Sequence, residues 1–254
     1  MTAKSRVTIA IASGRAGAGR SMIGANLAAA LAATGRRVGI TDTETLGAIT
    51  PETLGAAAPN RRDGRLVPAE RYGVQLMSFA FLLHEHERAQ ARPPSMDDLA
   101  ARFQADVAWS DLDVLFIELP SSEDAARSLV ERLGFDGVVI VATPQGAEEG
   151  ATEAALAFYG NLGVPLLGLI ENLSYYQCRQ CSRRDAAQAS GAVARVAQRL
   201  GVRFLGDVPI SIALRDCMDE NCPAAGSSPR LEEADLFERV ALVLMAALDH
   251  SAKE

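Results

Sequence analysis

The 254-residue sequence predicts an α/β protein: a mostly parallel, twisted sheet flanked by helices on both faces. Short apolar runs at 7–12, 114–118, 137–142 and 165–170 alternate with longer amphipathic or Ala-rich stretches, the pattern of parallel strands joined by crossover helices. The runs are apolar at successive positions, as strands covered on both faces are. Polar residues gather just after the runs, at 13–21, 42–44, 118–124, 143–145 and 171–172. In a parallel sheet these positions share the carboxyl edge, where ligands bind.

Taken in order, the run 7–12 is a strand, followed by a glycine-rich turn and an Ala-rich helix over 22–33. A short strand over 37–41 ends at Asp42. Residues 51–70 are rich in Pro, Gly, Arg and Ala without periodicity, which predicts a surface excursion. A strand over 74–79 follows, and Ser95 caps a helix reaching about residue 107. After the strand 114–118 come a helix over 123–133, a strand over 137–142 and a helix reaching Gly160. The strand 165–170 is followed by a helix over 186–200, a strand over 203–208 and an amphipathic closing helix over 231–248.

Apolar residues make up 48% and charged residues 22%, with a net charge of −7. These values suit a packed globular chain forming one domain over 1–254, since no linker-like stretch divides it. The acidic balance argues against general nucleic-acid binding. No apolar run reaches the roughly 18 residues of a membrane span, and the first six residues are too short and polar for a signal peptide. A cytoplasmic protein without membrane partners is expected. Cys178, Cys181, Cys217 and Cys222 all fall in the last third, and in a reducing compartment such clustering suggests metal or redox chemistry before disulfides.

The turn Ser13-Gly14-Arg15-Ala16-Gly17-Ala18-Gly19-Arg20-Ser21 has the strand–turn–helix setting of a phosphate-binding loop. Gly14, Gly17 and Gly19 let backbone N–H groups approach an anion, and the following helix N-terminus favours negative charge. Arg20 stands where the phosphate-binding lysine belongs. Lysine is scarce throughout: Lys4 and Lys253 are the only two, so 23 of 25 basic residues are arginine.

Several motifs in order then resemble the Mrp/ApbC group of MinD-like P-loop ATPases, which act as iron–sulfur cluster carriers. The loop is similar to that family's A-S-G-K-G-G-V-G-K-S-T. Asp42-Thr43-Glu44-Thr45-Leu46-Gly47 resembles its D-A-D-I-Y-G, and Glu118-Leu119-Pro120 its D-L-P. Thr143-Pro144-Gln145 resembles T-P-Q, and Glu171-Asn172-Leu173-Ser174-Tyr175-Tyr176 resembles E-N-M-S-Y-F. Cys178-Arg179-Gln180-Cys181 falls at C-P-x-C, and 204–209 is similar to F-L-G-E-I-P. The resemblance implies a P-loop NTPase fold and a nucleotide held by Gly14, Gly17, Ala18, Gly19, Arg20, Ser21, Met22, Glu118 and Asn172, with Ser21 on Mg²⁺. It further implies a [4Fe–4S] cluster shared by Cys178 and Cys181 of two subunits, and apo iron–sulfur proteins as recipients.

The catalytic positions depart from the family. Arg15 and Arg20 replace two lysines, and a planar guanidinium does not reproduce a point contact inside a tight cradle. Asp42 and Glu44 replace D-x-D, and the extra methylene of Glu44 disturbs a positioned water. Glu118 replaces an aspartate, and Ser121-Ser122-Glu123-Asp124 replaces the glycines of a switch loop. Hydrolysis is expected to be weak or lost, with ATP or ADP binding left open. Alternatives are a non-catalytic subunit paired with an active paralogue, as a heterodimer rather than a homodimer, and an active ATPase using arginine. Cys217 and Cys222 lie outside the family pattern: they are either adventitious or part of a four-cysteine site within one chain.

Overall fold

The computed structural model describes residues 6–45, 49–84, 87, 94–177, 183–186, 191–227 and 229–251. Its strands are β1 (Val7–Ala12), β2 (Val38–Asp42), β3 (Asn60–Arg62), β4 (Arg65–Val67), β5 (Ala69–Arg71), β6 (Val74–Ser78), β7 (Val114–Glu118), β8 (Gly137–Ala142), β9 (Leu166–Glu171), β10 (Tyr175–Gln177), β11 (Arg184–Ala186) and β12 (Phe204–Asp207). Eight of them form one sheet in the order β12-β9-β8-β1-β7-β2-β6-β5, parallel except for the β5–β6 edge pair. The chain leaves β1 for β2 on one side and returns to β8 and β9 on the other. The strand order therefore reverses at β1, the point where such sheets open a crevice.

The helices are α1 (Arg20–Ala33), α2 (Ile49–Thr53), α3 (Met96–Asp106), α4 (Glu123–Leu133), α5 (Pro144–Glu148), α6 (Ala151–Asn161), α7 (Ala192–Leu200), α8 (Ile212–Asp219) and α9 (Glu232–Ser251). Alternate strand side chains feed two cores. Ile9, Ile11, Ile40, Phe116 and Val141 pack with Leu27 and Leu31 of α1 and with Phe237 and Leu244 of α9. On the opposite face Leu115, Ile117, Val138 and Ile140 meet Leu99 and Phe103 of α3, Leu129 of α4, Leu156 of α6 and Val196 of α7. Each fully buried Leu, Ile or Phe contributes about 1.5–3 kcal/mol, so both faces must be covered for the sheet to persist.

Two sequence expectations need correction, and a third gains detail. The largely exposed stretch 51–70 carries the end of α2, the antiparallel β3–β4 hairpin and the start of β5. Its turn is Asp63-Gly64, both at positive φ (52° and 79°), the backbone that Asp-Gly hairpin turns require. The helix expected to reach Gly160 is two helices, α5 and α6. The turn between them is held by Glu149, whose carboxylate accepts from Arg15 and from Gln145 at 2.8 Å each. The helix expected over 186–200 begins at Ala192. Ala186 instead pairs with Tyr175 in the β10–β11 ribbon. The buried Glu171 carboxylate accepts from the backbone N–H groups of Gly191 and Val193, at 2.9 and 2.8 Å, and so fixes where α7 starts. Among the described residues, no helix is long and apolar enough to cross a membrane.

Candidate functional site

The loop between β1 and α1 is shaped by two close approaches. A Cβ on Gly14 would lie 1.9 Å from the Ala151 carbonyl oxygen, so the loop presses against the start of α6. Gly19 has φ 90°, and a Cβ there would lie 2.2 Å from Asn172 Nδ2. That Asn172 amide donates to the Ala18 carbonyl at 2.9 Å and ties the loop to the end of β9. Gly19 is also the N-cap of α1. It provides no side-chain cap, and no acidic residue stands in the first turn. The first-turn N–H groups are therefore left to whatever enters from outside, and an anion suits them best.

In front of the loop lies a cleft of about 510 Å³ lined by Gly17, Ala18, Gly19, Arg20, Ser21, Met22, Glu44, Thr53, Glu118, Met218 and Asp219. Glu118, at the end of β7, is its buried centre. Ser21 Oγ donates to Glu118 Oε1 at 2.8 Å, whereas Glu118 Oε2 is buried without a hydrogen-bond partner among the described residues. Burial pushes the Glu118 carboxyl above its ordinary value, against the pull of Ser21 and Arg20.

Arg20 does not extend into the cleft as a free cation. Its Nη1 donates to Ser13 Oγ and to Ser121 Oγ, both at 2.9 Å, and its Nε reaches Glu118 Oε1 at 3.4 Å. Its side chain is only 10% exposed, and it clamps the ends of β1 and β7 together. Arg15 is more exposed and pairs with Glu149 at 2.8 Å.

Asp42 and Glu44 part company. Glu44 lines the cleft. Asp42 is fully buried and accepts from Ser78 Oγ at 2.7 Å, Thr50 N–H at 2.7 Å and Glu44 N–H at 3.2 Å. It thereby joins β2, β6 and α2. Burial outweighs these hydrogen bonds and, with the nearby Glu118 charge, raises its pKa to about 7. Asn172 is buried behind the loop, with its Oδ1 unpartnered among the described residues.

Cys178 and Cys181 lie outside the described residues. Their flanks pair as antiparallel strands, with Gln177 opposite Arg184. Among the described residues, no cluster of three or more His, Cys, Asp or Glu side chains could hold a metal ion. Sequence reasoning missed three residues that line the cleft. Thr53 belongs to the surface excursion, and Met218 and Asp219 arrive from α8 without any local motif. It also missed the hydroxyls of Ser13 and Ser121 as partners of Arg20.

Residues 4–245 match a family model described as ParA, the NUBPL iron-transfer P-loop NTPases. The chain belongs to this family. It is 31% identical over 225 residues to an Arabidopsis thaliana iron–sulfur protein required for NADH dehydrogenase, covering 87% of this chain and 72% of that protein. It is 30% identical over 237 residues to the iron–sulfur cluster carrier protein of Haemophilus influenzae, covering 92% of this chain and 64% of the carrier. A nucleotide-binding protein from Archaeoglobus fulgidus, solved in complex with ADP, superposes with a TM-score of 0.71 at 30% identity, covering 85% and 86% of the two chains. The mostly parallel eight-stranded sheet is thus the α/β P-loop NTPase fold.

The residues present fit a nucleotide with its magnesium ion. An uncapped α1 N-terminus faces the cleft, and an orphaned carboxylate oxygen of Glu118 stands beside Ser21, with the hard oxygen character that Mg²⁺ takes. The misfit is confined to the cation, because the guanidinium of Arg20 is engaged by the protein's own oxygens.

Proposed function

We propose that this P-loop NTPase carries iron–sulfur clusters, receiving a [4Fe–4S] cargo on Cys178 and Cys181 and passing it to apo-proteins. The names of its relatives and the Cys-x-x-Cys spacing support this reading. Two thiolates are half of the usual four-cysteine ligand set, so the cargo is shared by two subunits. The cleft binds a nucleotide but hydrolyses it slowly at best. The observation that carries this second half is a phosphate cradle kept intact while its cation is taken up internally by Ser13, Ser121 and Glu118.

Each residue's part follows from its chemistry. The first-turn N–H groups of α1 receive phosphate oxygens, Ser21 and Glu118 hold Mg²⁺, and Asn172 keeps the loop in register through Ala18. A nucleotide supplies, when bound, the charge that orders this edge of the sheet. Two carboxylates at this edge are already engaged, whereas Glu44 lines the cleft with one methylene more than an aspartate would place there. Asp42 is committed to Ser78, Thr50 and Glu44, and Glu118 to Ser21 and Arg20. Catalysis by positioning fails when the positioning groups are used structurally.

Anaerobic reconstitution with iron and sulfide tests the carrier reading, with ADP binding and ATP turnover measured on the same sample. The expected result is the broad visible absorbance of thiolate-ligated iron and a doubled mass, both lost in Cys178→Ser and Cys181→Ser, with ADP bound and ATP turnover near background. Colourless, iron-free protein overturns the carrier reading. Brisk turnover abolished by Ser21→Ala overturns the expectation of weak hydrolysis.

A further inference from the structure

The remaining cysteines are brought together by the end of α8. Asn221 adopts φ 57°. Its N–H donates to the Met218 carbonyl at 3.0 Å, and the Cys222 N–H donates to the Cys217 carbonyl at 2.8 Å. These two bonds define a Schellman motif in which Cys217 is the third residue from the helix end and Cys222 the second residue beyond it, positions whose side chains ordinarily make an apolar contact. Here both are thiols. The Cys222 S–H donates to the Pro223 carbonyl at 3.5 Å. Direct contact between the Cys217 carbonyl and the Cys222 amide keeps the two α-carbons within the span of about 4.4–6.8 Å that a disulfide bridges.

The turn is braced from both sides. Asn26 of α1 donates to Met218 Sδ at 3.3 Å and accepts from the Ala224 N–H at 2.8 Å, while the Tyr72 hydroxyl donates to the Asn221 carbonyl at 3.2 Å. The motif can therefore hold its place while the sulfurs change partners. Both cysteines are half-buried and within reach of a small reagent. Met218 and Asp219, between them in sequence, belong to the cleft wall.

We propose that Cys217 and Cys222 form a thiol–disulfide exchange site at the rim of the cleft, oxidised by a low-molecular-weight disulfide to an intrachain disulfide. The Cys222 thiolate attacks one sulfur of the small disulfide, giving a mixed disulfide and releasing one small thiolate, which takes up a proton. Cys217 then gives its proton to solvent and attacks the Cys222 sulfur, and the second small thiol leaves. Two protein thiols are oxidised and one small disulfide is reduced to two thiols. Burial, with Cys222 and Glu220 alongside, pushes the Cys217 thiol up, which keeps it protonated during the first step.

Tryptic mapping of the full iron-free chain after treatment with glutathione disulfide tests this. Arg215 and Arg230 bound one peptide holding both cysteines, whereas Arg179 separates Cys178 from Cys181. The expected product is peptide 216–230 lighter by two hydrogens and resistant to alkylation, restored by dithiothreitol. In Cys217→Ser the same treatment is expected to leave glutathione on Cys222. Wild-type peptide 216–230 alkylated at both cysteines, retaining glutathione, or cross-linked to Cys178 or Cys181 overturns the proposal.

Discussion

Arginine at position 20 carries a lysine's charge without its geometry, and the structure gives that difference a location. A planar fork with several donors is satisfied by several fixed oxygens at once, and Ser13, Ser121 and Glu118 supply them. A lysine reaches phosphate as a flexible point charge instead. Arg20→Lys is therefore expected to raise affinity for Mg-ADP about tenfold, equivalent to about 1.4 kcal/mol. Titration calorimetry measures this, and unchanged or weaker binding would remove Arg20 as the element that limits the site. Asp42 yields a pH prediction. Its folded pKa of about 7 lies above the ordinary carboxylate value, so the folded state holds the proton more tightly than the unfolded one. Stability from this group falls as pH rises from about 4 to about 7. Melting curves of wild type and Asp42→Asn across that range are expected to converge toward acid and to diverge toward neutrality, with the wild type losing more. Parallel curves would mean that Asp42 titrates normally.

At the scale of elements, what could be read from the sequence was whatever local chemistry dictates. The loop glycines, the Ser95 cap, which accepts from the Asp98 N–H at 3.2 Å, and the buried strands all announce themselves within a few residues. The Asp63-Gly64 turn was equally local, and its hairpin was legible but overlooked among arginines and prolines. The start of α7 was not legible, because the group that caps it is Glu171, some twenty residues earlier in the chain. The same distance hid Met218 and Asp219 from any motif-based account of the cleft. Glu171 offers a direct measurement of such remote capping. It is fully buried and accepts from Gly191, Val193 and Ser174. Glu171→Ala takes the acceptor from the buried Val193 N–H at a cost of about 1–3 kcal/mol, so chemical denaturation should register a loss of at least that increment. Hydrogen exchange should locate the loss at the start of α7. A loss below about 0.5 kcal/mol, the size of an ordinary surface change, would relegate Glu171 to a bystander.

For the whole molecule, alternation of apolar runs with helical stretches was sufficient to predict a layered α/β architecture. The strand order was not legible, because nothing local in β1 states that β7 and β8 will flank it. That order decides the chemistry, since it brings the loop, Glu118 of β7 and the Asn172 end of β9 to one edge. The loop's platform, α1, is in turn held between the sheet and α9, where Phe237, 1% exposed, packs in the same core as Leu27 and Leu31. Phe237→Ala should cost about 3–5 kcal/mol through lost burial and the cavity it leaves. The urea midpoint should fall with little change in slope, because the surface exposed on unfolding is nearly the same. Below the midpoint, Mg-ADP affinity should be retained: none of the groups at the cleft is contributed by α9, and the hydrogen bonds that position Glu118 and the loop come from Ser21 and Arg20 at the start of α1 and from Asn172 after β9. A variant that kept its midpoint but lost the nucleotide would reverse that division of labour, making α9 a part of the binding site rather than the buttress behind it.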